Sequence, residues 1–167
     1  MKTKIRLYIG DLLSKRFDLP TEGLYKKYKE INNAWQKIEN KVLEGFKKTT
    51  GLSFLQNYIN VYLIDPKSVD SISSPTLIST RGDTNSIIMI IIHELIHTLI
   101  WDNTSNINWY RKAKKIWKKE HPSVIVHIVV HAILEAMYTD ILMKPEEIIR
   151  DINRMKKYPD YKRAWEI

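Results

Sequence analysis

A chain of 167 residues, 44% of them hydrophobic, is long enough to bury the core of one domain without disulfide bonds. It contains no cysteine, which excludes disulfides and thiolate metal ligands and leaves His, Asp, Glu and water to bind a metal ion. The net charge of +8 gives only weak support to a nucleic-acid partner, because lysines spread over helix surfaces produce the same excess without one.

The first half of the chain predicts strands around one long helix. Alternation of apolar and polar residues predicts a strand over 4–9, and residues 54–64, rich in Tyr, Val and Ile, predict one or two more. Residues 75–79 predict a short edge strand, because proline is tolerated at strand edges. The helix over 20–51 has an apolar stripe at three- and four-residue steps, made of Leu24, Tyr28, Ile31, Trp35, Ile38 and Val42.

Two helices in the second half are apolar on most sides. The first has its N-terminal cap among Thr84, Asn85 and Ser86 and continues to about Ile100, and the second covers 122–143. The first is too short to cross a bilayer, and both contain His and acidic residues, which are costly in lipid. We therefore expect buried helices of a protein without a membrane span.

The segment 108–120 predicts a basic helix whose inward side is Ala113, Ile116 and Trp117. A solvated basic face accounts for its charge. The same charge also supports an alternative function, a non-catalytic, metal-stabilised regulatory or nucleic-acid-binding module. Salt-sensitive binding to DNA or RNA without peptide hydrolysis would favour that alternative.

No linker or repeat divides the chain, so we expect one domain over 1–157 followed by a tail over 158–167. The tail is rich in aromatic residues, among them Tyr158, Tyr161 and Trp165. It either docks on the surface or folds back to plug a cleft as an autoinhibitor. The apolar run at the N-terminus is too short for a secretory signal, and we expect a cytoplasmic protein of undetermined oligomeric state. The fold class predicted by these elements is α+β, with a three- to four-stranded sheet backed by a long helix.

The segment His93-Glu94-Leu95-Ile96-His97 is an HExxH motif within an apolar helix. Residues four apart on a helix share a face, so both imidazoles can reach one zinc ion, and Glu94 can reach a water molecule on it. Two histidines and a glutamate would be costly to bury without partners, and a metal site supplies them. The motif predicts His93 and His97 as metal ligands and Glu94 as general base.

A catalytic zinc needs a third protein ligand, and the helix after Pro122 offers His127, His131 and Glu135 at four-residue steps. We choose Glu135, because a carboxylate buried in an apolar helix needs a cation more than a neutral histidine does. His131 is the alternative ligand, or otherwise a hydrogen-bond donor to the oxyanion of the reaction. His127 is more typical of a packing residue that supports a metal site from behind.

Two segments, residues 93–97 (HELIH) and 135–140 (EAMYTD), resemble the gluzincins, zinc peptidases with HExxH on one helix and a glutamate ligand on a later helix. The short chain with few strands before HExxH is most similar to the minigluzincins. The resemblance implies a small zincin-like domain, with Glu135 on the glutamate helix. The chain departs from the family at Thr139, where many gluzincins have an aspartate; Asp140 follows one position later.

The resemblance also implies an activity. One zinc ion and Glu94 would activate a water molecule that attacks a peptide bond, and Glu94 would pass the proton to the leaving amine. His131 or Tyr138 could add a hydrogen bond to the developing oxyanion. The expected partner is a peptide or protein substrate, extended along the strand predicted near 75–79.

Overall fold

The strands form one small mixed sheet in the part of the chain that the computed structural model describes, residues 3–10, 21–64, 71–105 and 108–167. The strands are β1 (Lys4–Ile9), β2 (Tyr58–Ile64), β3 (Ile72–Ser73) and β4 (Thr76–Ser79), and their order across the sheet is β1-β2-β4-β3. The strands β1 and β2 are parallel, β4 is parallel to β2, and the two-residue β3 is antiparallel to β4. The alternating burial along β1 confirms the predicted first strand.

The same described residues form six α-helices and one π-helical turn. The helices are α1 (Thr21–Thr50), α2 (Thr84–Asp102), α3 (Trp109–Ile116), α4 (Pro122–Ala136), α5 (Pro145–Met155) and α6 (Pro159–Trp165), and the π-helical turn (Met137–Ile141) continues α4. The α+β fold class is therefore confirmed, with helices and a small sheet in separate layers.

The strand β4 is not the edge strand that the sequence predicted. The chain reverses directly before it, so β3 folds back along its outer side and places Ser73 opposite Thr76. The Ser79 N–H also donates a hydrogen bond to Ser71 Oγ at 3.2 Å. A substrate strand added there would have to displace β3, so this pairing argues against the expected position of the substrate along 75–79, which stays an untested prediction.

The long helix α1 packs against the sheet through its predicted apolar stripe. Ile31, Trp35 and Val42 are at most 1% exposed. The Glu39 carboxylate accepts a hydrogen bond from the Ile5 N–H at 2.8 Å, which ties the helix to β1. Most of the stability of such a helix comes from burying this face rather than from helix propensity.

The helix α2 is the centre of the core and packs on α1, α4 and β4. Its N-terminal cap is Asp83, one residue before the predicted cap positions, and the Asp83 carboxylate accepts a hydrogen bond from the Ser86 N–H at 2.9 Å. By length and composition, α2 and the helix from Pro122 to Ile141 could each cross a membrane, but core helices pass the same test. Six residues of α2 are fully buried: Ile87, Ile91, Ile92, Leu95, Ile96 and Leu99.

The C-terminal segment is a packed helix rather than an extended tail. α6 lies against α4, and the Arg163 guanidinium donates to both Glu120 carboxylate oxygens, at 3.2 and 2.7 Å. The basic helix α3 is shorter than predicted, and Ile116 at its end is 70% exposed, so its predicted inward position is wrong. A small second apolar cluster joins α4 to α6 and consists of Trp117, Val124, Ile128 and Ala164.

Candidate metal centre

The two histidines of the HExxH motif face each other on adjacent turns of α2. Their Nε2 atoms are 3.2 Å apart and their ring centroids 5.0 Å apart. Two nitrogens that bind one zinc ion at about 2.0–2.1 Å and a tetrahedral angle lie about 3.3 Å apart. The pair therefore has the spacing of two ligands on one ion.

The helix α4 brings a third imidazole, His127, to this pair. One ligand nitrogen from each of His93, His97 and His127 lies within 4.8 Å of the others, so the group could hold a metal ion. His127 Nδ1 is 2.8 Å from the Ser123 carbonyl oxygen, which can only accept a hydrogen bond, so Nδ1 carries the proton. This fixes the tautomer that leaves the Nε2 lone pair for a metal.

All these imidazoles are neutral near neutral pH. Burial lowers the pKa of His97 to about 4, with a further contribution from His127. Burial, followed by the neighbouring imidazoles, holds the pKa of His93 well below its usual range, and burial also lowers the pKa of His127. Metal binding requires neutral imidazole, so the histidines are in the required protonation state without the loss of a proton.

The carboxyl group of Glu94 lies in the buried part of the same helix. Its residue is 7% exposed, and burial raises the pKa of Glu94 to about 7. A general base works best when its pKa lies near the operating pH, because it can then accept and return a proton in one cycle. A pKa near 7 is what the predicted role of general base would require of Glu94.

A fourth imidazole, His131, lies one turn further along α4 and is 2% exposed. Its ring centroid is 5.8 Å from that of His93 and 5.7 Å from that of His127. Burial lowers the pKa of His131 to about 3, and neither ring nitrogen has a hydrogen-bond partner in the protein. Buried nitrogens of this kind are costly unless an ion or a water molecule pairs with them. His131 thus lies beside the centre, as predicted.

The predicted third ligand, Glu135, does not join this group. Its side chain is exposed, and the converging ligand atoms are those of the three histidines. Eight residues of helix separate Glu135 from His127, which corresponds to about 12 Å along the axis. With His127 at the centre, Glu135 is therefore too far along α4 to reach the same ion, and His127 replaces it as the third candidate.

Tyr138 is a buried residue of the main hydrophobic core. It is 3% exposed in the main core, and its pKa is raised by burial and then by the carboxylates of Glu147 and Asp151. Its electrostatic neighbours are Glu147, Asp151 and Arg154 of α5, and its role as an oxyanion donor stays a prediction.

Aromatic residues of α6 cover the imidazoles of α4. The Tyr161 ring centroid is 4.0 Å from that of His127 and 5.8 Å from that of His93. The Trp165 ring stacks on His131 at 4.1 Å with an angle of 11° between the planes. The C-terminal segment thus folds back onto the centre, as one of the two predicted arrangements requires.

A cavity of about 330 Å³ opens beside His93 and Glu94. The end of β4 forms one wall, through Ser79 and the following Arg81, and the segment from α5 to α6 forms another. The residues of this second wall are Arg154, Met155, Lys157, Tyr158 and Tyr161. Tyr161 therefore contacts His127 and also lines the open cavity beside Glu94.

His127 is the member of the candidate ligand group that the sequence analysis treated as a packing residue. A signal was available, because His127 and His131 repeat the four-residue histidine spacing of HExxH on a second apolar helix.

Comparison of this chain with protein-family models, with curated proteins and with solved structures gives no match.

Proposed function

We propose that this chain is a zinc-dependent peptidase in which His93, His97 and His127 hold the metal and Glu94 is the general base. The observation that carries the proposal is the convergence of three neutral, buried or half-buried imidazoles beside a buried carboxyl group on the HExxH helix. Three protein ligands leave a fourth zinc position open, which is the arrangement of catalytic zinc sites.

The donor set suits zinc. Imidazole nitrogens are typical zinc ligands, the Nε2 atoms of His93 and His97 are 3.2 Å apart, and the Ser123 carbonyl fixes the His127 tautomer. When bound, zinc would lower the pKa of a water molecule to about 7 and polarise the substrate carbonyl.

The residues of the chain supply proton transfer and orientation. Glu94 takes a proton from the water molecule as the water oxygen attacks the peptide carbonyl carbon. It then gives that proton to the amine nitrogen as the carbon–nitrogen bond breaks. His131 remains neutral near neutral pH, and we assign its N–H as a donor to the carbonyl oxygen. Burial of these groups strengthens each of these interactions.

The gluzincin resemblance supports the peptidase class through HExxH, but the proposed ligand set differs from that family. A glutamate completes the gluzincin site, whereas here a histidine would complete it. The exposure of Glu135 and the position of the His127 ring nitrogen favour the three-histidine set. We accordingly propose a zincin-like peptidase with a variant ligand set.

The first test is metal-dependent hydrolysis. Zinc-loaded protein should cleave an unfolded protein such as reduced, alkylated casein, and removal of zinc by a chelator should abolish cleavage because no group of the chain replaces the ion. Re-addition of one equivalent of zinc should restore it. Mass spectrometry of the fragments measures cleavage. Purified protein that binds zinc but leaves every peptide intact would instead support the non-catalytic alternative.

We also propose that α6 holds the enzyme in a latent form, because Tyr161 contacts His127 and borders the cavity at Glu94. Tyr161→Ala in the full chain should raise casein hydrolysis several-fold and speed the removal of zinc by a chelator. Tyr25→Ala is a matched control, since Tyr25 is 52% exposed on α1. Unchanged or lower rates in Tyr161→Ala would show that α6 only completes the wall of the site.

A further inference from the structure

One face of the sheet points away from the hydrophobic core. Alternate residues of β1 and β2, among them Ile5, Leu7 and Val61, are buried in that core together with residues of α2. The residues between them therefore point to the opposite side of the sheet. We call this side the outer sheet face, and on β1 and β2 it consists of Lys4, Arg6, Tyr8, Tyr58, Asn60 and Tyr62. Since α2 lies on the inner side, the outer sheet face is separate from the candidate metal centre.

Two tyrosine rings lie side by side on the outer sheet face. Tyr8 and Tyr62 are opposite each other in the strand register, and their ring centroids are 5.7 Å apart with 28° between the planes. Leu77 on β4 and Ile72 on β3 continue this row across the sheet. Tyr8 is 39% exposed, so the pair is open to solvent on one side. A nearly parallel pair of exposed rings offers a stacking surface to a further planar group.

Two cations flank the rings. Lys4 lies opposite Tyr58 in the register, and the Arg6 guanidinium carbon is 3.6 Å from the centroid of the Tyr58 ring. This cation–π contact holds the guanidinium on the outer sheet face. In the part of the chain that the structure describes, neither Lys4 nor Arg6 forms an ion pair with a carboxylate. Glu39 contacts the edge of β1 through a backbone N–H, and with it counted two cations still face one anion.

We propose that the outer sheet face binds single-stranded nucleic acid. Each nucleotide of such a ligand offers a planar base to the rings and a phosphate to Lys4 and Arg6. Sheets with exposed aromatic residues bind single-stranded RNA in this way, and guanidinium planes stack bases as rings do. The Tyr8–Tyr62 pair and the Arg6–Tyr58 pair therefore give two stacking positions, which lie about 13 Å apart along β2.

Two other occupants suit the outer sheet face less well. A second copy of the chain in a two-fold contact would place the same patch against itself, so Lys4 and Arg6 would meet their own like charges. A membrane would require an apolar face that enters the lipid. Apart from Ile72, the exposed residues of the outer sheet face are polar or tyrosine. Nucleic acid is the occupant that uses both the rings and the cations.

Fluorescence anisotropy with labelled strands measures the binding. The full chain is titrated into an RNA dodecamer without self-complementarity and into DNA of the same sequence. At low salt we expect dissociation constants of about 1–100 μM for at least one of them. Tighter binding of the RNA would indicate a contact to the 2′-hydroxyl, and equal binding would indicate that bases and phosphates are enough. A duplex should bind at least about fivefold more weakly, because its bases are already stacked.

Variants locate the binding on the outer sheet face. Tyr8→Ala should weaken the binding about five- to hundredfold, the usual effect of removing a stacking ring, and Tyr8→Phe should retain it. Arg6→Gln should make the dependence of log K on log salt less steep by about 0.7, because one phosphate contact is lost. Tyr25→Ala is the matched control, since Tyr25 is also exposed and also has a lysine over its ring, Lys29, but belongs to α1. It should leave the affinity unchanged.

Several results would overturn the inference: equal affinity for duplex and single strand, unchanged affinity in Tyr8→Ala, or equal losses in Tyr8→Ala and Tyr25→Ala. Binding to anionic phosphatidylserine vesicles without binding to either strand would also overturn it, and would identify a membrane surface instead. Circular dichroism of each variant shows whether it folds, and the salt dependence of Arg6→Gln gives a test that does not depend on Tyr8→Ala. None of these measurements involves zinc or Glu94, so failure here leaves the proposed peptidase function standing.

Discussion

Replacement of Glu94 by glutamine is expected to lower the rate of peptide hydrolysis about a hundred- to ten-thousandfold, the usual contribution of general acid–base catalysis. Glutamine has the same shape as glutamate but cannot accept the proton of the attacking water. Glu94 is not one of the three candidate metal ligands, so the zinc content of the variant should remain at one ion per chain. Casein cleavage and metal analysis on the same preparation measure both quantities.

The control for this variant is a measurement that shows whether the protein still folds. Glu94 is buried, and its pKa of about 7 means that its neutral form already exists in the folded protein near neutral pH. A neutral amide should therefore be tolerated, and circular dichroism should show an unchanged helix content. Hydrolysis at the natural rate in the glutamine variant would exclude Glu94 as the base and would require another proton acceptor.

Replacement of His127 by alanine should weaken zinc binding more than about a hundredfold. Loss of a group that merely orients a ligand costs about 10- to 100-fold in metal affinity, and loss of a ligand should cost more. Competition with a chromophoric chelator measures the dissociation constant. Hydrolysis should fall with zinc occupancy and should recover in part at high zinc concentration, because His93 and His97 remain as ligands.

Glu135→Ala is the matched comparison for that experiment. Glu135 lies on the continuous helix of His127 but is exposed, so its removal should change zinc affinity less than about twofold. The opposite result, tight zinc binding in His127→Ala and weak zinc binding in Glu135→Ala, would identify Glu135 as the third ligand, as in the gluzincin pattern. Equal losses in both variants would point to unfolding of α4 and can be detected by its helical signal.

The elements nearest to the site were the ones most visible in the sequence. The HExxH spacing lies within one helix, and local geometry alone brings His93 and His97 together. The apolar surroundings of α2 and the stripe of α1 identified both as core helices, because periodicity reports directly which face is buried. These features depend on residues close together in the chain.

The third candidate ligand, His127, could not be found in this way. A helical repeat shows that His127, His131 and Glu135 lie near one face of α4, but it does not show which turn lies opposite His93. That choice depends on the position of α4 along the axis of α2. Packing between side chains that are distant in sequence determines this position. The argument from the cost of a buried carboxylate also failed, because Glu135 is exposed.

Short elements escaped prediction for a related reason. β3 has two residues and α6 has seven, and neither has enough residues to leave a periodic pattern. Their structure comes from their partners: β4 beside β3, and α4 with Trp117 beside α6. Tertiary contacts of this kind cannot be inferred from local sequence.

All three candidate ligands come from the middle of two helices that pack directly on each other, and none comes from a loop. We therefore expect folding of the apolar core to bring the candidate nitrogens together without an ion. Small metal-dependent domains such as zinc fingers behave differently, because the ion supplies their folding energy. If the centre holds zinc as proposed, one divalent ion should be exchangeable for another in the native state, and a coloured or paramagnetic substitute such as cobalt should report on the centre by spectroscopy.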